Sequence, residues 1–318
     1  MRMTCFEARA LSFAAMVLTS GIVCGEDYPN KPVRIVTSEP GGGNDFAARL
    51  IAQGLSLTFK QRVVVDNRGI IAAEIVAKAP PDGYTLLFYG NPFWLAPFLR
   101  DNVPYDPVRD FFPISLAVST ASILVVHPSL PVKSVSGLIA LARARPGELN
   151  YSSGTIGAAS HLAAELFRTM AGIKIMRVPY RGTGAAFTAL IAGQVQVMFP
   201  TAGSVTPHLK SGRLRALAVT TAQPSALFPG LPTIAASGLP GYESVSLVGI
   251  FAPTETPAAI IDLLNRNIVR VLDQADVREK FFNAGVDAIG GSPAELAAAM
   301  KSEMARMGKV IRDAGIHE

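Results

Sequence analysis

Cysteine is almost absent. Only Cys5 and Cys24 occur in 318 residues, and both fall before residue 26. The chain beyond them offers no thiol nucleophile, no disulfide and no cysteine-based metal site. Histidine is nearly as sparse: His127, His161, His208 and His317 stand apart, none three or four residues from another, and no H-E-x-x-H occurs. That spacing argues against a bound metal. Charged residues make up 17% of the chain and are interspersed, so the net charge of +5 forms no basic run of the kind that tracks nucleic acid. Past residue 25 no run of about 18 apolar residues appears, so no later segment is expected to span a bilayer. Catalytic signatures are missing as well. There is no G-x-S-x-G elbow, Ser152 and Ser153 with His161 lack an obvious third member, and no carboxylates pair at loop ends. No cofactor-binding motif is complete, so none is expected.

What is present begins with an export leader. Arg2 and Arg9 precede an apolar stretch at residues 11–23, too short to cross a membrane, and Val23 and Gly25 occupy the small-residue positions before a cleavage point at Glu26. Cys24 offers lipid attachment as an alternative, although Gly21-Ile22-Val23 matches that signal poorly. The remaining length and the 49% apolar content describe a globular chain of two domains.

The stretch VRIVTSEPGGGNDFAARLI at residues 33–51 organises the rest. A β-branched strand runs into Pro40 and three glycines, then into a helix that Asn44 or Asp45 can cap. Helix N-termini carry unpartnered N–H groups and partial positive charge, and glycine lets an anion approach them closely. A plain strand-to-helix turn is the competing reading. Strands at 62–66 and 84–89 and a helix at 72–79 complete a parallel unit. Residues 90–113 read as a structured loop. A β-rich run at 114–127, broken at 119–122, leads into a second βα series. A further strand at 244–252 is placed to cross back. The expected organisation is α/β, with two doubly wound sheets joined by two crossing strands: residues 26–122 with 246–318 form one lobe and 123–245 the other. Two crossings make a hinge, and a hinge encloses a cleft at the carboxyl ends of strands.

Small, hydroxyl-bearing and amide-bearing turns close the expected strands: Ser38 with EPGGGND, NRGI, YGN around Asn91, SSGT at 152–155, RGTG at 181–184 and FPTAGS around Thr201. Such groups are neutral donors that hold an anion without altering it. Arg181 either adds a charge-assisted bond or lies exposed. His161 either meets a ligand or is a polar residue of a helix N-terminus. Phe93 and Trp94 read as core.

The ordered set YPNKPVRIV, PGGGND, VVVDNR, PDGYTLL, VPYDPVRDF, HPSLPVKSV, PGELNYSS, HLAAELF, VPYRGTGAA, GQVQVMF, LRALAVTT and GKVIRDAGI resembles the solute-binding (Bug) receptors of tripartite tricarboxylate transporters over nearly the whole chain. The resemblance implies a two-lobed periplasmic-binding-protein-like fold (type II). It implies a carboxylate gripped by Gly41, Gly42, Gly43, Asn44 and Asp45 from one lobe and by Ser153, Thr155, Tyr180 and Arg181 from the other. The partners implied are the small carboxylate and an integral-membrane permease, with a monomer in the periplasm. A periplasmic sensory protein signalling to a kinase, or an enzyme on the same fold, is the alternative. The sequence departs from the family at Thr37-Ser38, in the short apolar turn Gly69-Ile70-Ile71, and at Pro200-Thr201 where Asp-Asn is frequent. The last change disfavours an amino-acid ligand.

Overall fold

The computed structural model describes residues 28–154 and 156–317. The expected leader, its Cys24 and its cleavage point, and Thr155, lie outside the described residues. Val33–Thr37 (β1) is paired in parallel on both sides, by Val63–Asn67 (β2) and Thr85–Gly90 (β3). Its apolar residues serve both faces, Val33 and Ile35 on one and Val36 on the other. Gly43–Phe59 (α1) and Ala72–Ala77 (α2) connect these strands, Asn91–Leu99 (α3) follows β3, and the long Phe111–Ala121 (β4) leads out.

The second sheet is entered at Ile123–Val126 (β5). Val135–Ala144 (α4), Asn150–Ser153 (β6), Ala159–Ala171 (α5), Met176–Pro179 (β7), Thr183–Ile191 (α6), Val197–Met198 (β8), Ala202–Lys210 (α7) and Arg215–Val219 (β9) follow. Val245–Pro253 (β10) returns to the first sheet, trailed by Ala258–Leu272 (α8), Ala275–Asn283 (α9), Asp287–Ala288 (β11) and Pro293–Asp313 (α10). The strand orders are β11-β4-β10-β3-β1-β2 and β7-β6-β8-β5-β9.

Three expectations need correction. Residues 91–99 are a helix, not loop. Phe93, Trp94, Leu95 and Ala96 are all buried, so no polar stripe betrays a period. Pro97 sits inside that helix and cannot donate to the Phe93 carbonyl, but the Tyr105 hydroxyl donates to it instead at 3.1 Å. The cap of α1 is neither Asn44 nor Asp45: the N-cap is Gly42, without any side-chain bond. The β run continues to Ala121 and breaks only at Ser122, because β10 pairs with β4 along its full length.

Leu50, Ile51 and Leu55 of α1 pack with Ile261, Leu264 and Ile268 of α8 on one face of the first sheet. Gly54 permits the close crossing, since a Cβ there would overlap Val271. On the other face one apolar cluster runs from Trp94 and Phe251 through to Tyr151 and Phe167 beside the second sheet. Ala186, Leu190 and Val205 fill the far side of that second sheet.

Strand direction decides where a ligand can sit. In the first sheet β1, β2 and β3 are parallel, and β10 runs antiparallel to both β3 and β4. Thr37, Asn67, Gly90 and Ala121 therefore end at one edge. In the second sheet β6, β7 and β8 are parallel while β5 runs against β8. Ser153, Pro179 and Met198 thus end at the edge where β5 begins. Since β5 follows β4 across Ser122 alone, the carboxyl edges of the two sheets face each other across the crossing point.

Candidate functional site

The crossing point is tied by hydrogen bonds. The Ser122 N–H donates to Thr220 Oγ1 at 2.9 Å, and the Thr220 hydroxyl donates back to the Ser122 carbonyl at 2.9 Å. Ser244 N–H donates to the Thr220 carbonyl, which brings the returning strand to the same place. Both hydroxyl-bearing residues are buried. Thr201, expected at the site, forms a bridge with Ser122, and Ile123 N–H donates to the Pro200 carbonyl. The turn after β8 is thus built onto the hinge.

At the edge of the first sheet, the turn from Ser38 to Asp45 is held from within. The Asn67 amide donates to the Ser38 carbonyl at 2.8 Å and to Asp45 Oδ1 at 2.9 Å. Asp45 Oδ2 accepts from Gly41 N–H at 2.9 Å, and Arg49 reaches Oδ1 at 2.9 Å. The bond from Gly41, followed by that from Arg49, holds the Asp45 carboxyl down to about 2. Asp45 therefore shapes the turn, with three bonds from its own surroundings. Gly41, Gly42 and Gly43 are exposed, and Asn44 and Ser38 are half-buried. Gly41 has φ +81°, a conformation that favours glycine. The result is the bare N-terminus of a 17-residue helix presented at the cleft edge.

The opposite edge repeats the device. Helices α5, α6 and α7 begin at Ala158, Gly182 and Thr201 with no side-chain cap. Among the described helices, serine caps appear on α4 and α10, at Ser134 and Ser292, and both start away from the facing edges. Helices α8 and α9 also begin without a side-chain cap, at Pro257 and Gln274, but the N-termini of α1, α5, α6 and α7 follow the strand ends at the facing edges, where one anion can satisfy several of them.

Ser153 is buried. Its Oγ accepts from Arg177 Nε at 2.8 Å, and Arg177 Nη2 donates to the Gly154 carbonyl at 2.9 Å. Arg177 was not legible as a site residue, because an arginine within the strand MRVP carries no motif. Tyr180 is half-buried, and its N–H donates to the Ser153 carbonyl at 3.1 Å. Arg181 is exposed beside the α6 N-terminus. His161 is buried, its Nδ1 accepting from Gly157 N–H at 3.2 Å. Burial, with Arg177 nearby, pushes its pKa down to about 4, so the ring is neutral and the proton resides on Nε2. The Thr201 hydroxyl donates to Ser204 Oγ at 3.2 Å.

Asn91 does not join this set. It is buried, its Oδ1 accepts from Leu247 N–H at 2.7 Å, and its Nδ2 donates to Glu303 Oε1 at 3.1 Å and to the Val245 carbonyl at 3.4 Å. The amide is spent on locking β10 and α10 to α3, so the glycine-asparagine turn that suggested a ligand contact is a structural joint. Phe93 and Trp94 are buried in the core.

The lobes also touch on either side of the hinge. A Cβ on Gly203, in α7, would meet the Ala284 carbonyl at 2.5 Å. A Cβ on Gly157 would meet Leu99 at 2.7 Å. Among the described residues no group of acidic, histidine or cysteine side chains is arranged to hold a metal ion.

Residues 47–316 match the model of the tripartite tricarboxylate transporter family receptor. The chain is 35% identical to Protein BugT of Bordetella pertussis over 309 residues, 94% of this chain and 95% of that one. A Rhodopseudomonas palustris protein solved with adipate superposes with a TM-score of 0.78 at 38% identity, covering 91% of this chain and 99% of that one. MatC from the same organism, with bound malate, gives a TM-score of 0.73 at 29% identity, over 89% of this chain and 100% of that one.

Proposed function

This chain belongs to the receptor family of tripartite tricarboxylate transporters, and from that premise we propose that it captures a small carboxylate between its lobes and hands it on unchanged. The family is one of periplasmic solute-binding receptors, and its members with adipate and with malate support a carboxylate here. The observation that carries the reading is the pairing of bare helix N-termini across the hinge. Gly42 and Gly43 of α1 face the edge that holds the starts of α5, α6 and α7. Backbone N–H groups bind a carboxylate without transferring a proton to it, and the neutral His161 supplies no charge of its own.

The lobes part at Ser122 and between Thr220 and Val245, so closure is a hinge motion about the Ser122–Thr220–Ser244 ties. On this reading Gly41, Gly42, Gly43, Asn44 and Ser38 serve the ligand from one side, and Tyr180, Arg181 and Thr201 from the other. Ser153 and Asp45 act by shaping their turns. The place of action is the periplasm, reached through the N-terminal leader, the working form is a monomer, and the recipient is an integral-membrane permease. A thermal-shift panel of carboxylates tests the reading. A ligand at 100 times its Kd should raise stability by about 2.7 kcal/mol, and chromatography should recover the acid unaltered. Conversion of any acid to a product would replace the receptor reading with an enzymatic one.

A further inference from the structure

The turn that follows β2 is apolar at a place where the fold does not need it to be. Ile70 and Ile71 are 59% and 49% exposed, and neither belongs to any of the apolar clusters of the described core. Their neighbours on both sides are fixed. Gly69 is buried against Glu39 and holds a left-handed φ of +59°, and Tyr89 Oη donates to its carbonyl at 3.4 Å. Ala72 and Ala73 are buried in the core beneath. Packing alone would accept polar residues at 70 and 71. Two adjacent β-branched side chains left in water lose the free energy that burying them would return.

Their position gives them a use. They follow Asn67 at the carboxyl edge of the first sheet, and Asn67 is the residue whose amide holds Ser38 and Asp45 in the glycine turn. The apolar turn and the bare α1 N-terminus are therefore parts of one rim. The charged and hydroxyl groups nearest the turn are in part bound to the protein itself. The Asp45 carboxylate accepts from Gly41, Asn67 and Arg49, and across the hinge the Thr201 hydroxyl donates to Ser204. Exposed Glu39, packed on Gly69, is a further carboxylate at this rim.

We propose that the ligand is a carboxylate with an apolar body, a hydrocarbon chain or ring without hydroxyl or ammonium groups, and that Ile70 and Ile71 pack against that body. This inference rests on the receptor reading above. It is tested by titration calorimetry of the purified protein with adipate, benzoate, malate and aspartate. Adipate or benzoate, distinguishing chain from ring, should bind at least about tenfold more tightly than malate or aspartate, the discrimination that one or two methylenes give in an apolar site. The double variant I70S/I71S keeps its fold, since both residues are exposed. It should lose about tenfold in affinity for the preferred acid while its affinity for malate stays unchanged. Tighter binding of malate or aspartate would overturn the inference and leave the receptor reading standing. So would loss of aspartate binding in Glu39→Gln, which would assign Glu39 to an ammonium group. Unchanged affinity in the double variant would also overturn it and place the two isoleucines on a surface for another partner. Failure of every acid to bind would remove the receptor reading itself, and this inference with it.

Discussion

The imidazole of His161 is the buried group whose protonation state the fold controls most clearly. Its folded pKa is near 4 against an ordinary 6.5, with burial as the main cause. A depressed pKa means that the folded state resists a proton which the unfolded chain accepts. The stability associated with the neutral ring is complete above pH 6.5 and is lost as pH falls from there toward 4. The urea midpoint of the protein should drop across that window, and His161→Asn should flatten the drop. Equal slopes in the two proteins would show that other groups govern it. Asp45 titrates lower, near 2, so its contribution should fade only below about pH 4. Arg177 illustrates what residue types alone do not reveal. Its fork clamps Ser153 and Gly154, yet nothing in MRVPY marks that arginine as a builder of the site.

At the scale of elements, α1 and α3 make the instructive contrast. The strand, glycine turn and helix at residues 33–59 were legible because β-branching, glycine and an amphipathic stripe mark each part separately. Only the cap was misplaced, since Asp45 satisfies the Gly41 N–H instead of the first turn of the helix. The helix α3 was illegible. Its buried side chains follow one another without a polar face, and two prolines look like breakers. Asn91 shows a related effect: the residue type suits a binding turn and a buried joint equally, and only the three-dimensional course of β10 and α10 commits its amide to the joint. The Tyr105 hydroxyl is the element-level repair, taking the carbonyl that Pro97 leaves open. Tyr105→Phe should therefore cost about 1–3 kcal/mol in urea unfolding, the penalty of an unsatisfied buried carbonyl, and leave carboxylate affinity untouched. A loss of affinity without a loss of stability would place Tyr105 in the binding site instead.

For the molecule as a whole, strand directions bring two sets of bare helix N-termini to one hinge. The crossing is tied by bonds among Ser122, Thr220 and Ser244, and the apolar cluster beside α3, α5 and α10 spans both sheets; the proposed closure would turn about those ties. Gly203 lies where the lobes meet at Ala284 and Gly285. Gly203→Val should press them apart there. If the closed form becomes tenfold rarer, apparent ligand affinity falls about tenfold with little change in thermal stability. Small-angle scattering with and without ligand should then show compaction in the parent protein and less of it in the variant. Identical compaction and affinity in both would remove Gly203 from the closing surface. The two-lobed organisation was legible because long β-rich runs at both crossings bracket a complete βα series. Which edges face each other followed only once the pairing of β10 with β3 and β4 was known.

The most direct test of carboxylate capture by backbone donors is an amide nitrogen–proton NMR titration of the isotope-labelled protein with a bound acid. Saturable shifts concentrated at the amides of Gly42, Gly43 and Asn44 and at the starts of α5, α6 and α7 are expected. An acid that binds while those amides keep their free-state positions would contradict the assignment of the cleft.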